Sequence, residues 1–456
     1  YRDWAFINVV GRNDWSSTLP AENNSFFYSG VSGSVILTDA LQIQSNVLTY
    51  AKLRAGISRV GNDAAPYQTS TIFITNGFTE GLDGLGSPFR NVNVLSEGNT
   101  VGSPDLKPEF TTEYEIGTDL QFFNNRIGLD FTNYNRSTTD QIVPISRAPS
   151  SGLLNFVTNI GEITNEGIEV GLNLTPVRLD NGFEWNVYTV FTTNENIVQK
   201  LDDAGELDQL IIGGFTNLGI VHRPGLPYGQ ILADDFARDE ETGLPLINPE
   251  SGLMIDDPEL QIVGDPNPNF TVGVTNTVSF KGVSLSFLID YRDGGDLYSF
   301  STAQAIGRGV AKSTEDREWS RVIPGILADP ATLEPILDEN GNKIENNIQI
   351  TSNEFHFIDG IGSAGASSHN VYDASVVRLR EVTLGYTLPT SLLSKTPLGS
   401  ATISLTGRNL WFNAPNFPDG MNVDPEISSL NGNALGLDFS TIPTTKRYGV
   451  NLRFTF

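Results

Sequence analysis

A two-residue periodicity recurs from one end of this chain to the other, and it constrains the fold more than any other feature. In "GIEVGLNLT", Ile168, Val170, Leu172 and Leu174 share one parity, against Glu169, Gly171 and Asn173. Successive side chains of a strand point to opposite faces, so such a segment is a strand with one apolar and one polar face. The same pattern runs through Ala51, Leu53, Ala55 and Ile57, and through Tyr114, Ile116, Leu120 and Phe122. It returns in Val283, Leu285, Phe287, Ile289 and Tyr291, and in Tyr448, Val450, Leu452, Phe454 and Phe456. Counting every such segment gives about twelve strands, each close to the ~9–11 residues a tilted strand needs to cross a bilayer.

The connections choose between a protein core and lipid as the partner of the apolar face. Asn124-Asn125, Leu179 to Gly182, and Lys281-Gly282 are tight hairpin turns. Between them lie long polar stretches, 60–111, 139–162, 194–268, 294–372 and 413–445. Long loops gathered at one end and short turns at the other are the pattern of an outer-membrane barrel, with turns in the periplasm and loops outside. The fold class expected is therefore all-β, a transmembrane antiparallel β-barrel with short periplasmic turns and long extracellular loops. A secreted β-sandwich adhesin or carbohydrate-binding module is the alternative from another class. It would bury the apolar faces between two sheets and mix loop lengths at both ends.

On the barrel reading the polar parity faces the lumen. Glu113, Glu115, Asp119, Asp130, Glu169, Asp290, Arg292, Arg408 and Arg453 all fall there. An Arg or Lys on the lipid face costs about 2–4 kcal/mol at the midplane, and the partition avoids that cost almost everywhere. One segment breaks parity. Val377 and Leu379 oppose Val382 and Leu384, which predicts a β-bulge near Arg380 or Glu381. No apolar run approaches the length of a membrane-spanning helix. The absence of cysteine excludes disulfides and thiolate metal sites. A net charge of −26 repels phosphate backbones, so nucleic acid is not an expected partner.

Several longer segments resemble the SusC/RagA family of TonB-dependent outer-membrane transporters. They are "RNDWSSTLP" (12–20), "KLRAGISRVGND" (52–63), "SPDLKPEFTTEYEIGTDLQFFNNRIGLDFTNYN" (103–135), "NIGEITNEGIEVGLNLTPV" (159–177), "GDPNPNFTVG" (264–273), "VYDASVVRLREVTLGYTLP" (371–389) and "GRNL" (407–410). The resemblance implies a 22-stranded barrel whose wide lumen holds a plug. About twelve strands would then be its C-terminal portion, spanning residues 1–456 without plug domain, TonB box or upstream strands. It also implies import of an oligomeric nutrient, oligosaccharide favoured over peptide. The implied partners are a SusD-like lipoprotein lid, TonB acting through the plug, the barrel's own N-terminal half, and outer-membrane lipid. A barrel serving docking, assembly or secretion is the second functional alternative.

Catalysis is not expected. His222, His356 and His369 fall in loop stretches, none at metal-ligand spacing from another, and are expected to be solvated. Cofactors are not expected either. "LDENGNKIE" (337–345) places Asp338, Asn340 and Asn342 as a calcium loop would, but its Gly341 comes too early and no bidentate Glu follows at the required offset. This segment and "RDEETGLP" (238–245) are read as extracellular hairpins. Ligand contact is left to loop aromatics and lumen charges: Trp15, Phe215, Tyr298, Trp319, Phe357 and Trp411, with Asp290, Arg292 and Arg408. For each ring the competing role is bracing a loop or joining the aromatic girdle; for each charge it is pairing with the wall or the plug.

Overall fold

The structure is a computed structural model. It describes residues 1–74, 79–80, 83–84, 92–93, 95–146, 150, 155–202, 204–215, 217–357, 361–362, 365–429 and 434–456. Twelve long strands follow one another along the sheet in chain order. They are β1 (Ala5–Trp15), β2 (Ser25–Ile36), β3 (Leu48–Asn62), β4 (Glu109–Phe122), β5 (Ile127–Ser146) and β6 (Asn155–Arg178). The second six are β7 (Glu184–Lys200), β8 (Phe270–Phe280), β9 (Val283–Asp293), β10 (Val376–Thr387), β11 (Ser400–Asn413) and β12 (Arg447–Thr455). Every neighbouring pair is antiparallel. The path is open: among the described residues β1 and β12 do not pair with each other, so each keeps one free edge.

Register carries the two-residue alternation across the whole wall. One row of mutually facing residues reads Ala5, Val35, Leu53, Thr118, Phe131, Val170, Phe191, Val272, Tyr291 and Val377. The adjacent row reads Phe6, Ser34, Arg54, Gly117, Thr132, Glu169, Thr192, Thr271 and Arg292. A slip of one residue at any pairing would put an apolar strand face among charges, which is why the register holds. Thr118 is the polar exception in the apolar row, and its hydroxyl donates to the Lys52 carbonyl at 2.9 Å. No second sheet covers the apolar face among the described residues. Leu285 is 38% exposed and Leu452 56%, which removes the β-sandwich alternative.

The turns follow from their residues. Lys281 and Gly282 both have positive φ (47° and 86°), the geometry of a two-residue hairpin matched to strand twist. Phe123, Asn124 and Asn125 also enter the left-handed region, which Asn tolerates better than most residues. At the other end the expectation of a loop over 139–162 needs correction. Ser146 pairs with Asn155, so β5 and β6 continue as a hairpin well past the length a bilayer requires. Its apolar residues are covered: Val157 is buried beside Ile142, and Val143 and Ile145 pack against the cluster of Ile163, Val198 and Leu201. The predicted bulge is found: β10 skips Arg380 in its register with both β9 and β11. Arg380 and Glu381 thus both serve the polar face, and Leu379 returns to the apolar one.

The loops form a folded layer of their own. Short strands from different loops pair in parallel, Leu246–Ile247 with Ile326–Leu327 and Tyr298–Ser299 with Leu437–Asp438. Leu218, Ile220, Ile231, Ala233, Tyr298, Ala434 and Leu437 pack into one buried core drawn from three loops. Both predicted hairpins are present, with Arg238 opposite Pro245 and Leu337 opposite Lys343. Lys343 Nζ ties them together, donating to Asp239 at 2.6 Å and Glu241 at 2.8 Å. The layer is anchored to the wall by Arg378, 1% exposed, which donates to Asp424 at 2.5 Å.

Candidate functional site

On the wall, the polar face is occupied by its own ion pairs. Arg54 reaches from β3 across β4 to β5, donating to Asp119 at 2.9 Å and Asp130 at 3.0 Å. Gly117 makes this possible, because a Cβ there would lie 2.7 Å from Arg54 Nε. Asp290 accepts from Arg380, which also holds Glu426 of the last loop. Arg408 donates to Glu381 at 2.8 Å. Arg292 donates to the Pro266 carbonyl at 2.8 Å, and its Nε is buried without a partner. The three wall charges singled out from the sequence are thus engaged within the wall or with the loop roots. Beside Arg54, Phe6, Val10, Ser32, Ser34, Gly56 and Ser58 line a groove of about 660 Å³.

Two of the sequence-selected aromatics sit on the apolar face. Trp15 has the parity of Ile7 and Val9 and is 73% exposed; Trp411 faces Leu379 and is 52% exposed. Both lie at the loop end of their strands, where an aromatic girdle meets the interface. This corrects their selection as ligand candidates: parity within the strand directs them away from the polar face.

The layer brings two others together. The Phe439 ring centroid is 4.3 Å from Phe215 and 5.7 Å from Tyr298, with Phe300 stacked on it at 5.3 Å. Phe215 keeps 58% of its surface exposed, so the cluster presents an open aromatic side. Burial pushes the Tyr298 hydroxyl up to about 12, which keeps it neutral at ordinary pH. Such a patch can stack against the C–H faces of a sugar or an apolar side chain. Phe300 and Phe439 escaped the sequence reading because they come from two further positions in non-periodic loops.

Trp319 belongs to a second cluster. It meets Phe355 at 5.6 Å and His356 at 5.9 Å, and the Arg321 guanidinium lies 3.7 Å over its ring. Phe357 is 37% exposed and packs against Gly309, where a Cβ would come within 2.6 Å of its ring. His222 and His356, expected in solvent, are 4% and 3% exposed. They sit among the rings Tyr228, Trp319 and Phe355, and burial lowers the His222 imidazole to about 4. No grouping of His, Asp and Glu that could hold a metal occurs among the described residues.

The profile of the TonB dependent receptor-like β-barrel family matches residues 6–410, from β1 into β11. A TonB-dependent receptor of Formosa agariphila is 27% identical over 489 aligned positions, covering 100% of this chain and 44% of that receptor. The TonB-dependent receptor SusC of Bacteroides thetaiotaomicron is 24% identical over 255 positions, 53% of this chain and 25% of its own. Among solved structures, the RagAB peptide transporter superposes with a TM-score of 0.69 at 20% identity, covering 99% of this chain and 46% of that one. The chain therefore spans less than half the length of these relatives, and their names are those of receptors and a transporter rather than of enzymes. With the profile running through almost the whole wall, the chain belongs to the TonB-dependent receptor-like β-barrel family, as part of a SusC/RagA-like outer-membrane barrel.

Proposed function

We propose that the protein to which this chain belongs imports an oligomeric nutrient across the outer membrane, driven through TonB. The observation that carries this reading is the exposed ring of Phe215 set against Phe439, which Phe300 and the buried Tyr298 back, in a loop layer with its own core above a wall with a lipid-compatible outer face. An oligosaccharide suits it best, because sugar rings offer C–H faces to aromatic side chains while their hydroxyls need only a few oriented polar groups. Residues 1–456 take the place of the C-terminal portion of a barrel of about 22 strands, whose remaining strands would pair with the free edges of β1 and β12. A SusD-like lipoprotein closes the loop side, and TonB acts through a plug inside the barrel.

The test is uptake of labelled oligosaccharide and peptide mixtures by cells carrying the full-length protein, its deletion, or Phe215→Ala with Phe439→Ala. Loss of oligosaccharide uptake in the deletion and on removal of TonB supports the proposal. Uptake indifferent to both contradicts it. Pull-down of the intact protein separates the second reading: a lipoprotein lid favours import, and secretion or assembly machinery favours docking.

A further inference from the structure

We infer that Arg321, held over the ring of Trp319, is a subsite for a carboxylate group carried by the cargo. The inference rests on the import reading and deepens it by naming one chemical group the cargo must bring.

Residues 201–269, 294–375 and 414–446 hold 30 of the 54 acidic residues and 8 of the 28 basic ones. A guanidinium in such surroundings has many carboxylates to choose from. Others in the layer take fixed partners: Lys343 takes Asp239 and Glu241, and Arg223 takes Gln209. Arg321 is different. Among the described residues neither a carboxylate nor any other acceptor takes a hydrogen bond from its guanidinium, and it is held by rings instead, 3.7 Å over Trp319 and 5.2 Å from the Phe355 centroid.

The holding is built. Arg321 lies in the short strand Ser320–Val322, which pairs with Gln349–Thr351. Phe355 comes from the helical turn that follows the second of these strands. Under the rings sits His356, 3% exposed with neither ring nitrogen partnered. The nearby Glu354 is already committed, accepting from the Thr351 amide at 2.7 Å and hydroxyl at 2.8 Å.

Stacking uses the face of a guanidinium and leaves its N–H edge free. That edge is a planar fork matched to two carboxylate oxygens, and the stack fixes its orientation before any ligand arrives. The acidic surroundings repel a polyanion at long range, so the fitting cargo carries one carboxylate on an otherwise neutral or basic oligomer. A peptide C-terminus and a terminal uronic acid both present that group.

The experiment is calorimetric binding to the full-length protein in detergent, with two pairs of probes. The first pair is tetra-alanine with a free or an amidated C-terminus. The second is a trisaccharide ending in glucuronic acid or its neutral counterpart. At least one carboxylate-bearing probe should bind about tenfold more tightly than its neutral partner, and Arg321→Ala should erase that difference. Arg321→Lys, which keeps the charge but not the fork, should restore only part of it. Which pair discriminates tells peptide from uronide. Equal affinities within both pairs, absence of binding included, overturn the inference, as does discrimination that survives in Arg321→Ala. Uptake of a neutral oligosaccharide would persist in either case, so the import reading fails or stands separately.

Discussion

In the wall, Ile7, Val450 and Leu452 are 81%, 68% and 56% exposed; in the layer above it, Ile220, Ile231 and Leu437 are completely buried. One chain thus places the same aliphatic side chains in two opposite ways. The wall keeps its charges on the polar parity, where Arg54, Arg380 and Arg408 meet carboxylates, and turns its apolar parity to the other face. The layer does what a water-soluble domain does, with an apolar core and acidic turns at the surface. The difference follows from the solvent each region meets: lipid needs no burial of apolar groups, water does.

This contrast can be broken most severely where the regions join. Arg378→Met removes the partner of Asp424, which is itself completely buried. Leaving one member of a buried pair behind costs about 3–5 kcal/mol. Urea unfolding should register it, and proteolysis should reach residues 414–446 sooner. Adding Asp424→Leu should recover most of the loss. Recovery failing in the double variant would mean that the pair does more than neutralise itself.

Within the layer, Leu437→Ala should cost about 2–5 kcal/mol, as truncation of a buried Leu does elsewhere, with the loops opening while the wall stays folded. Within the wall the sensitive change is of charge. Phe287→Arg puts a cation on the apolar face at a cost of about 2–4 kcal/mol, while Ser286→Arg, one residue away on the polar face, should be nearly neutral. Similar losses for the two would contradict the assignment of faces.

A smaller effect should come from pH. His222 is held neutral by burial, with its pKa lowered from 6.5 to about 4. An unfolded layer takes up a proton as pH falls below about 6.5, and the folded layer resists until about 4. The layer's stability is therefore full above the first value and declines between the two. Protease sensitivity of residues 218–233 should rise on going from pH 7 to pH 4.5, and His222→Gln should flatten that rise.

The wall was legible because period two leaves a trace in every strand, and because lipid forbids charge on one parity. Even the bulge at Arg380 showed, as a break of parity between Leu379 and Val382. The hairpin over 139–162 did not, since Ile142, Val143 and Ile145 fall on both parities around Pro144 and leave no alternation to read. The layer was nearly illegible for a related reason. Its core joins Ile220, Tyr298 and Leu437 from three loops far apart in sequence, through strands of two to five residues. So short an element has no period to detect, and its partners are set by tertiary contact. Phe215 and Tyr298 could be chosen as exposed-loop aromatics, whereas the ring that unites them, Phe439, could not.

The most direct measurement of the central claim uses the absence of cysteine from residues 1–456, any cysteine elsewhere in the full-length protein being replaced. Single cysteines placed along β9 in the full-length protein can carry a spin label in a lipid bilayer. Labels at Val283, Leu285, Phe287, Ile289 and Tyr291 should be relaxed by oxygen dissolved in the hydrocarbon, and labels at Ser284, Ser286, Leu288 and Asp290 by a water-soluble nickel complex. A uniform response along the strand, or alternation of the opposite phase, would contradict the account.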